Sequence, residues 1–369
     1  MGEDGLVRVF VVNCGSSSLK YRLVDTGTGA EVGAGLIERV TDHAEALAAA
    51  LEHVVGERIE CVAHRVVHGG ERFTAPVVID DAILGELREL AVLAPLHNPI
   101  NVLGIEVARR ALPELPHVAV FDTAFHTTLP PRAYTYAVPR EWAREHGVRR
   151  YGFHGTSNAY VSRAAAALLG RDVTTTNLIV LHLGNGASAT AIAGGRSVDT
   201  SMGLTPLEGL VMGTRSGDVD PALVLHLRRS AGLGVEEVDD LLNGGSGLLG
   251  LAGASDMREV HRRIAAGDAD AALALDVYCY RIRKYVGAYG AALGHVDAIV
   301  FTAGVGEHDP TVRAQALAGL ERFGVSVDPR RNEANASFIS PPGAETAVLV
   351  VPTDEELEIA SQAAGILPV

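Results

Sequence analysis

The sequence contains few cysteines and few basic residues, and each shortage excludes a class of protein. Its three cysteines, Cys14, Cys61 and Cys279, are widely separated and form no Cys-x-x-Cys pair, so neither a disulfide framework nor a zinc site is expected. This usage is typical of a reducing cytosol. Lysines and arginines number 31 against 45 aspartates and glutamates, and the net charge of −14 argues against nucleic acid or an anionic membrane as a partner.

Long apolar runs and a targeting segment are also missing. No apolar stretch reaches the ~20 residues that a membrane-spanning helix needs. Glu3 and Asp4 stand where a signal peptide would carry Lys or Arg. With 369 residues, of which 47% are hydrophobic, the chain is expected to form two α/β domains in the cytoplasm.

The segment VFVVNCGSSSLK, residues 9–20, predicts a buried strand that ends in a turn of small polar residues. Apolar residues resume at 21–24, so the whole pattern predicts a β-hairpin. A turn of Gly and Ser presents backbone N–H groups and hydroxyls to an anion, as phosphate-binding loops do. It is not a Walker A loop, since GxxxxGK[ST] is missing here and no helix clearly follows. A phosphate loop on a hairpin favours the actin-like nucleotide-binding folds, and an ordinary serine-rich turn is the alternative.

A second copy of this pattern, NLIVLHLGNGASATAIA, occupies residues 177–193. An ungapped alignment of 11–20 with 180–189 matches Gly15 with Gly184 and Ser17 with Gly186. Two such hairpins, one in each half of the chain, predict a duplicated fold with a nucleotide between the halves. A third glycine-rich stretch, DAIVFTAGVGE at 297–307, predicts a strand followed by a loop that packs against the nucleotide.

Strands and helices alternate, which predicts a mixed sheet flanked by helices in each half. Strands are expected at about 7–13, 18–25, 31–38, 59–67, 117–122, 177–183, 187–193, 297–302 and 346–351, and helices at about 42–55, 80–93, 99–111, 156–169, 220–230, 270–293 and 354–364.

Four further segments place charged side chains beside glycine or proline at the ends of predicted strands. They are CVAHRVVHGG with Arg65 and His68, VFDTAFH with Asp122 and His126, YGFHGTS with His154, and LTPLEGLVMGTRSGDVDP with Arg215. Each charge taken alone is typical of a solvated loop. Together they form a set of Arg, His and Asp at strand ends, where α/β sheets bind their ligands.

These segments together resemble the acetate kinase family. NCGSSSLK, HRVVHGG, FDTAFH, YGFHGTS, HLGNGASATAI, MGTRSGDVDP, SDMR, TAGVGE and TDEE occur in the family's order from Asn13 to Glu356. The resemblance implies a duplicated actin-like (ribonuclease H-like) fold with a nucleotide cleft between its domains. It also implies reversible transfer of the ATP γ-phosphoryl group to acetate, with Mg²⁺ (for which Mn²⁺ can substitute), in a homodimer.

The family pattern implies a role for each matching residue. Arg65 and Arg215 would hold the acyl substrate and the transferring phosphoryl group, because a guanidinium offers a bidentate fork to their oxygens. His154 would donate to the phosphoryl oxygens in the transition state, which His154 and Arg215 stabilise together. Acetate is already ionised at pH 7, so Asp122 is expected to orient an arginine or a metal-bound water, not to act as a base. Asn13 and Glu355 match the Mg²⁺ positions.

The resemblance also implies a nucleotide site and an acyl pocket. In-line transfer needs no phosphoenzyme, although Glu355 could in principle form one. Asn158 and His308 depart from the family, which usually has a second His and an Asn there. The acyl pocket would comprise Val67, Leu96, Phe153 and Pro206, and the nucleotide would contact Lys20, His182, Gly184, Asn185, Gly186, Asp256, Met257, Arg258, Gly304, Val305, Gly306 and His308.

Two alternatives stay open. Propionate or butyrate kinase would use the same chemistry, although Val67 favours acetate. A nucleotide-gated binding module of the actin-like class would need a partner-binding appendage, and none is evident in the sequence. The expected domains are 1–125 with 355–369, and 126–354.

Overall fold

The computed structural model describes residues 7–15 and 18–367. Ser16 and Ser17, which the sequence places in a phosphate-binding turn, lie outside the described residues, as do Glu3 and Asp4. None of the described helices is long and apolar enough to cross a membrane.

The chain divides into two compact units. The first contains the described residues up to Thr127, Phe153–Tyr160 and those from Asp354 onward, and the second contains Thr128–Gly152 and Val161–Thr353. Residues 153–160, which the expected boundaries put in the second domain, group with the first unit. The reason is local, since the Gly155 amide donates to the Asp122 carbonyl at 2.9 Å.

The sheet of the first unit has the strand order β3-β2-β1-β4-β6-β5. β1 pairs antiparallel with β2, and β2 with β3, whereas β1–β4 and β4–β6 are parallel. β5, which the sequence did not predict, pairs antiparallel with β6 at the edge. The strands are β1 Arg8–Cys14, β2 Ser18–Asp25, β3 Glu31–Glu38, β4 Cys61–Val66, β5 Val77–Val78 and β6 His117–Phe121.

The sheet of the second unit repeats this arrangement. Its order is β11-β10-β7-β8-β9, with β7–β8 and β8–β9 antiparallel and β7–β10 and β10–β11 parallel. β7 therefore corresponds to β1, which confirms the duplication that the two hairpins predict. The strands are β7 Asn177–Leu183, β8 Ala187–Ala193, β9 Arg196–Thr200, β10 Ala298–Thr302 and β11 Ala347–Val350.

Helices cover the sheets. The α-helices are α1 His43–Glu52, α2 Asp81–Glu89, α3 Asn98–Ala111, α4 Pro131–Tyr134, α5 Arg140–His146, α6 Gly155–Leu168, α7 Ala222–Ser230, α8 Val235–Gly244, α9 Gly247–Ala252, α10 Met257–Ala265, α11 Ala269–Leu293, α12 Ala303–His308, α13 Pro310–Leu317, α14 Pro329–Glu333 and α15 Glu355–Ala364.

The apolar run of β1 is buried on both faces. Phe10 and Val12 join a core with Leu47 of α1, and Val9 and Val11 join another with Ile359 of α15. A strand covered on both faces needs a continuous apolar sequence without alternation, which is why this segment is so easily recognised.

The prediction of a loop at Gly304 and Gly306 is wrong, because both lie in the short helix α12. Two glycines lower helix propensity and hide such a helix from sequence analysis. The helix begins directly after β10 at Ala303, whose φ of 64° lies in the left-handed region. The chain therefore turns within one residue, with no loop between strand and helix.

Gly104 marks the closest approach of α3 to β1. A Cβ at this position would meet the Sγ of Cys14 inside van der Waals contact and its Cβ at 3.0 Å. Gly85 of α2 offers a matched comparison, since a Cβ there would meet no atom within 4 Å.

We expect Gly104→Ala to lower the free energy of unfolding by about 1–2 kcal/mol, because overpacking outweighs the gain in helix propensity. Gly85→Ala should raise it by up to about 1 kcal/mol. Urea denaturation of both variants measures this. Adding Cys14→Ala should recover much of the Gly104→Ala loss, and an unchanged loss in that background would contradict the proposed contact.

Candidate active site

Arg65, which is half-buried, and Asp122, which is buried, form an ion pair at one edge of the first sheet. The parallel register sets Arg65 of β4 opposite Val120 of β6, so Asp122 follows the strand end within reach. The Arg65 Nε lies 3.0 Å and 3.2 Å from the two carboxylate oxygens of Asp122, and its Nη2 lies 2.6 Å from Oδ2. This two-pronged contact fixes the plane of the guanidinium.

Glu355, the first residue of α15, adds a second carboxylate to this cluster. Its Oε2 lies 4.0 Å from Nη1 of Arg65. Burial by itself lowers the pKa of Arg65, but Asp122 and Glu355 outweigh this effect and hold the pKa above its ordinary value. Burial raises the pKa of Glu355, which Arg65 partly opposes. The two carboxylates therefore keep Arg65 charged, whereas burial shifts Glu355 towards its neutral form.

Asn13 and Lys20 lie directly opposite each other on β1 and β2. The Nζ of Lys20 lies 2.6 Å from Oε1 of Glu356, so this lysine, expected at the nucleotide, pairs within the first unit with the residue after Glu355.

His154 adopts a left-handed conformation, with φ of 57°. This conformation is uncommon for residues other than glycine and costs of order 1–3 kcal/mol where strained, so it persists only where neighbours enforce it. Its carbonyl accepts from both the backbone N and the Nδ2 of Asn158 at 2.9 Å each. On its other side, the Phe153 carbonyl lies 2.8 Å from Nε2 of His126. Asn158 thus supports the His154 backbone directly.

The predicted acyl-pocket residues differ in burial. Phe153 is buried and meets the His68 ring edge-on with centroids 5.4 Å apart. Val67 is half-buried, and its amide donates to Oδ1 of Asn101 at 3.1 Å. Leu96 is 55% exposed, so its place in the pocket stays a prediction. The fourth residue, Pro206, belongs to the second unit.

Arg215 is a half-buried cation without a carboxylate partner among the described residues. Its Nη1 donates to the carbonyl of Pro206 at 3.2 Å and lies 3.7 Å from Sδ of Met212. Burial lowers the pKa of Arg215, and no neighbouring acid raises it again. A guanidinium held in this way is electrostatically ready for an anion.

A polar network supports the loop that carries Arg215 and Pro206. Arg150 donates to the carbonyls of Ser201 and Met202 at 3.0 Å, and its Nη2 lies 2.6 Å from Oε1 of Glu208. Tyr136 donates to the other oxygen of Glu208 and accepts from the Leu204 amide at 3.1 Å. Sequence analysis missed this network, since each of these contacts joins residues more than 50 positions apart along the chain.

The second unit contains a cavity of about 760 Å³. Three other residues expected at the nucleotide do not line this cavity: His182, Gly186 and Gly306. A Cβ added to Gly306 would lie 3.4 Å from the Phe301 backbone, so this glycine packs against the end of β10. The predicted nucleotide residues that do line it are Gly184, Asn185, Asp256, Met257, Arg258, Gly304, Val305 and His308, and the walls also include Gly213, Leu248, Ser255, His261, Tyr278, Asp309, Pro310 and Thr311.

Two features hold the walls of this cavity. Asp256 caps α10 by accepting from the Arg258 amide at 2.9 Å, and its carboxylate also receives the Arg258 guanidinium. Arg313 is fully buried and donates to the carbonyls of Gly306 and Glu307 at 3.0 and 2.9 Å, which anchors α12. Arg313 was not predicted, because only its burial distinguishes it from a surface arginine.

Two sheets of the same order, each opened by a hairpin, define an α/β protein of the duplicated actin-like class. The model of the acetokinase family matches residues 40–361, and the chain belongs to that family. An acetate kinase of Streptomyces avermitilis is 54% identical over 389 aligned positions that cover 96% of each chain. The crystal structure of Porphyromonas gingivalis acetate kinase matches with a TM-score of 0.92 and 42% identity, covering 98% of this chain and 100% of that one.

A propionate kinase from Francisella tularensis is also similar. Its structure has a TM-score of 0.91 and 39% identity, and it covers 97% of this chain and 99% of its own. Both acceptor acids therefore occur among proteins with the fold of this chain.

His126 should make stability depend on pH. Burial lowers its pKa to about 4, although the Phe153 carbonyl and Asp122 oppose this shift. Because the unfolded pKa is about 6.5, the unfolded state binds the proton first. The stabilising contribution is complete above pH 6.5 and is lost as the pH falls towards 4.

We expect the wild type to lose about 2 kcal/mol more stability than His126→Gln between pH 8 and pH 5. Urea unfolding at the two pH values measures the difference. His226→Gln, at an exposed histidine of α7, should behave as the wild type. Equal losses in all three proteins would show that His126 is not the group responsible.

Proposed function

We propose that this protein is an acetate kinase, which transfers the γ-phosphoryl group of ATP reversibly to acetate and yields acetyl phosphate and ADP. Family membership and the relatives named acetate kinase support this activity. The structural observation that carries it is Arg215, a half-buried guanidinium whose charge no carboxylate of the described chain neutralises.

Anionic substrates would supply the missing charge. Acetate and the phosphates of ATP are anions at pH 7, since a carboxylic acid ionises at a pKa of roughly 4–5. Arg65 is held in place by Asp122, which leaves its Nη1 facing away from that pair towards Glu355. Asp122 therefore serves as the orienting group of an arginine, and the reaction requires no general base because acetate is already deprotonated.

The chemistry is direct in-line transfer. The acetate oxygen forms a bond to the γ-phosphorus while the bond from that phosphorus to the bridging oxygen of ADP breaks, and no proton moves. Charge spreads over the phosphoryl oxygens as this happens, so Arg215 and the His154 side chain stabilise the transition state by donating hydrogen bonds. The enforced left-handed backbone of His154 supports this role, because such conformations cluster at functional sites.

Asn13 and Glu355 are the proposed Mg²⁺ residues. They offer oxygen donors, and the described residues contain no cluster of three acidic, His or Cys side chains that would enclose an ion. That donor set fits Mg²⁺, which keeps several waters and takes its other ligands from substrate phosphates. When bound, the ion would neutralise charge on the phosphates.

The cavity of the second unit is the proposed nucleotide site. Its glycines, Gly184, Gly213 and Gly304, let a ligand approach the backbone closely. Met257 and Val305 supply apolar surface for a base, and Asp256 and Arg258 lie at the same wall. This composition supports binding of ATP and ADP.

We also propose a cytoplasmic homodimer. The three cysteines are free and buried, which suits a reducing compartment. Helix α7 has no buried residue, and its Leu225 exposes an apolar side chain that a second subunit would cover. Size-exclusion chromatography with light scattering tests the dimer.

We expect ATP- and Mg²⁺-dependent acyl phosphate formation with the highest kcat/KM on acetate. Hydroxylamine trapping on acetate, propionate and butyrate side by side measures this. One methylene changes apolar binding by only about 1–3 kcal/mol, so activity on propionate should be weaker but detectable. A preference for propionate would keep the mechanism and change the substrate, whereas no acyl phosphate from any acid would overturn the proposal.

Arg215→Ala should lower kcat/KM for acetate by about 10³-fold or more, because it removes charge stabilisation in the transition state. MgADP binding, measured by calorimetry, should stay within about threefold of the wild type, since Arg215 is outside the cavity walls. Arg228→Ala, at an exposed arginine of α7, is the control. Loss of ADP binding together with transfer would mean that Arg215 holds the nucleotide instead.

A further inference from the structure

Tyr278 lies on α11 and lines the cavity of the second unit, yet none of the motifs includes it. Its side chain is 1% exposed. Its hydroxyl has no hydrogen-bond partner anywhere in the described part of the chain. A buried hydroxyl without a partner opposes folding, so native structures seldom retain one without a use.

Other tyrosine hydroxyls of the second unit are satisfied within the protein. Tyr285 donates to Oδ2 of Asp218 at 2.9 Å, Tyr151 to the Gly147 carbonyl at 3.0 Å, and Tyr136 to Glu208. Tyr278 differs from these three because it lines a cavity and its hydroxyl has no partner among the described residues.

The neighbouring polar groups are already occupied. Asp309 accepts from Nε2 of His261 at 2.7 Å with one oxygen and from the Val312 amide at 2.9 Å with the other. Asp256 is engaged by Arg258. Burial, with smaller contributions from Cys279 and Asp309, raises the pKa of Tyr278, so the hydroxyl stays protonated and able to donate.

We propose that the Tyr278 hydroxyl hydrogen-bonds the nucleoside part of the bound nucleotide and contributes to selection of the phosphoryl donor. This inference rests on the proposed function. Phosphates are disfavoured beside this hydroxyl, because the Asp309 carboxylate acts on Tyr278 and would repel them. The phosphates instead fit the wall of Gly184, Asn185 and Gly213, whereas Leu248, Met257 and Val305 offer apolar surface for the base.

Tyr278→Phe tests the proposal, since it removes the hydroxyl and keeps the ring. Without nucleotide, the melting temperature should rise by about 1–4 °C, because an unsatisfied group is lost. The Kd for MgADP should weaken about tenfold by calorimetry, the value of one buried hydrogen bond. The KM for ATP should rise by a similar factor while the KM for acetate stays unchanged.

Tyr280→Phe is the matched control, since Tyr280 is two residues further along α11 and 58% exposed. Tyr280→Phe should change neither the melting temperature nor the Kd for MgADP. A lower melting temperature with an unchanged Kd in Tyr278→Phe would assign the hydroxyl a structural role and overturn the inference. Wild-type protein that binds MgADP but forms no acyl phosphate would overturn the proposed reaction alone, and wild type that binds no ADP would overturn both.

Discussion

Parallel strand pairing is the constraint on which the candidate residues of both units depend. In the first unit the β4–β6 register brings Arg65 within reach of Asp122, because both strands end at the same edge of the sheet. In the second unit β7 and β10 are aligned in the same way, and the chain that follows them carries Gly184 and Gly304 into the cavity wall. The same strand order therefore gives the two units equivalent sheet edges that carry different side chains.

The two family arginines occupy opposite electrostatic situations. Arg65 is matched by Asp122 and approached by Glu355, so its burial is compensated within the protein. Arg215 has only a neutral carbonyl and a thioether beside it, so no carboxylate among the described residues compensates its burial. Holding an uncompensated cation requires a rigid loop, and the contacts of Arg150 with Glu208 and with the loop carbonyls provide that rigidity. In a chain of net charge −14, an arginine without a carboxylate partner also concentrates scarce positive charge locally.

The cavity of the second unit shows how buried polar groups divide between structure and binding. Arg313 is fully committed to carbonyl oxygens of its own unit and shapes the wall at α12. The Asp309 carboxylate is likewise committed, to His261 and to a backbone amide. The Tyr278 hydroxyl has no partner among the described residues, and this difference in hydrogen bonding is the basis of its proposed role in binding the nucleotide.

The sequence by itself determined most of the strands, the repeated hairpin and the family, because apolar runs and glycine-rich turns are local patterns. It missed α12, whose two glycines read as a loop, and it missed Arg313 and Tyr278, which no motif marks. The pairing of Arg65 with Asp122 was anticipated only as one option, since those residues are 57 positions apart. Tertiary structure decided which charges are compensated and which polar groups are left for ligands, because burial and hydrogen bonding depend on neighbours brought together from distant parts of the chain.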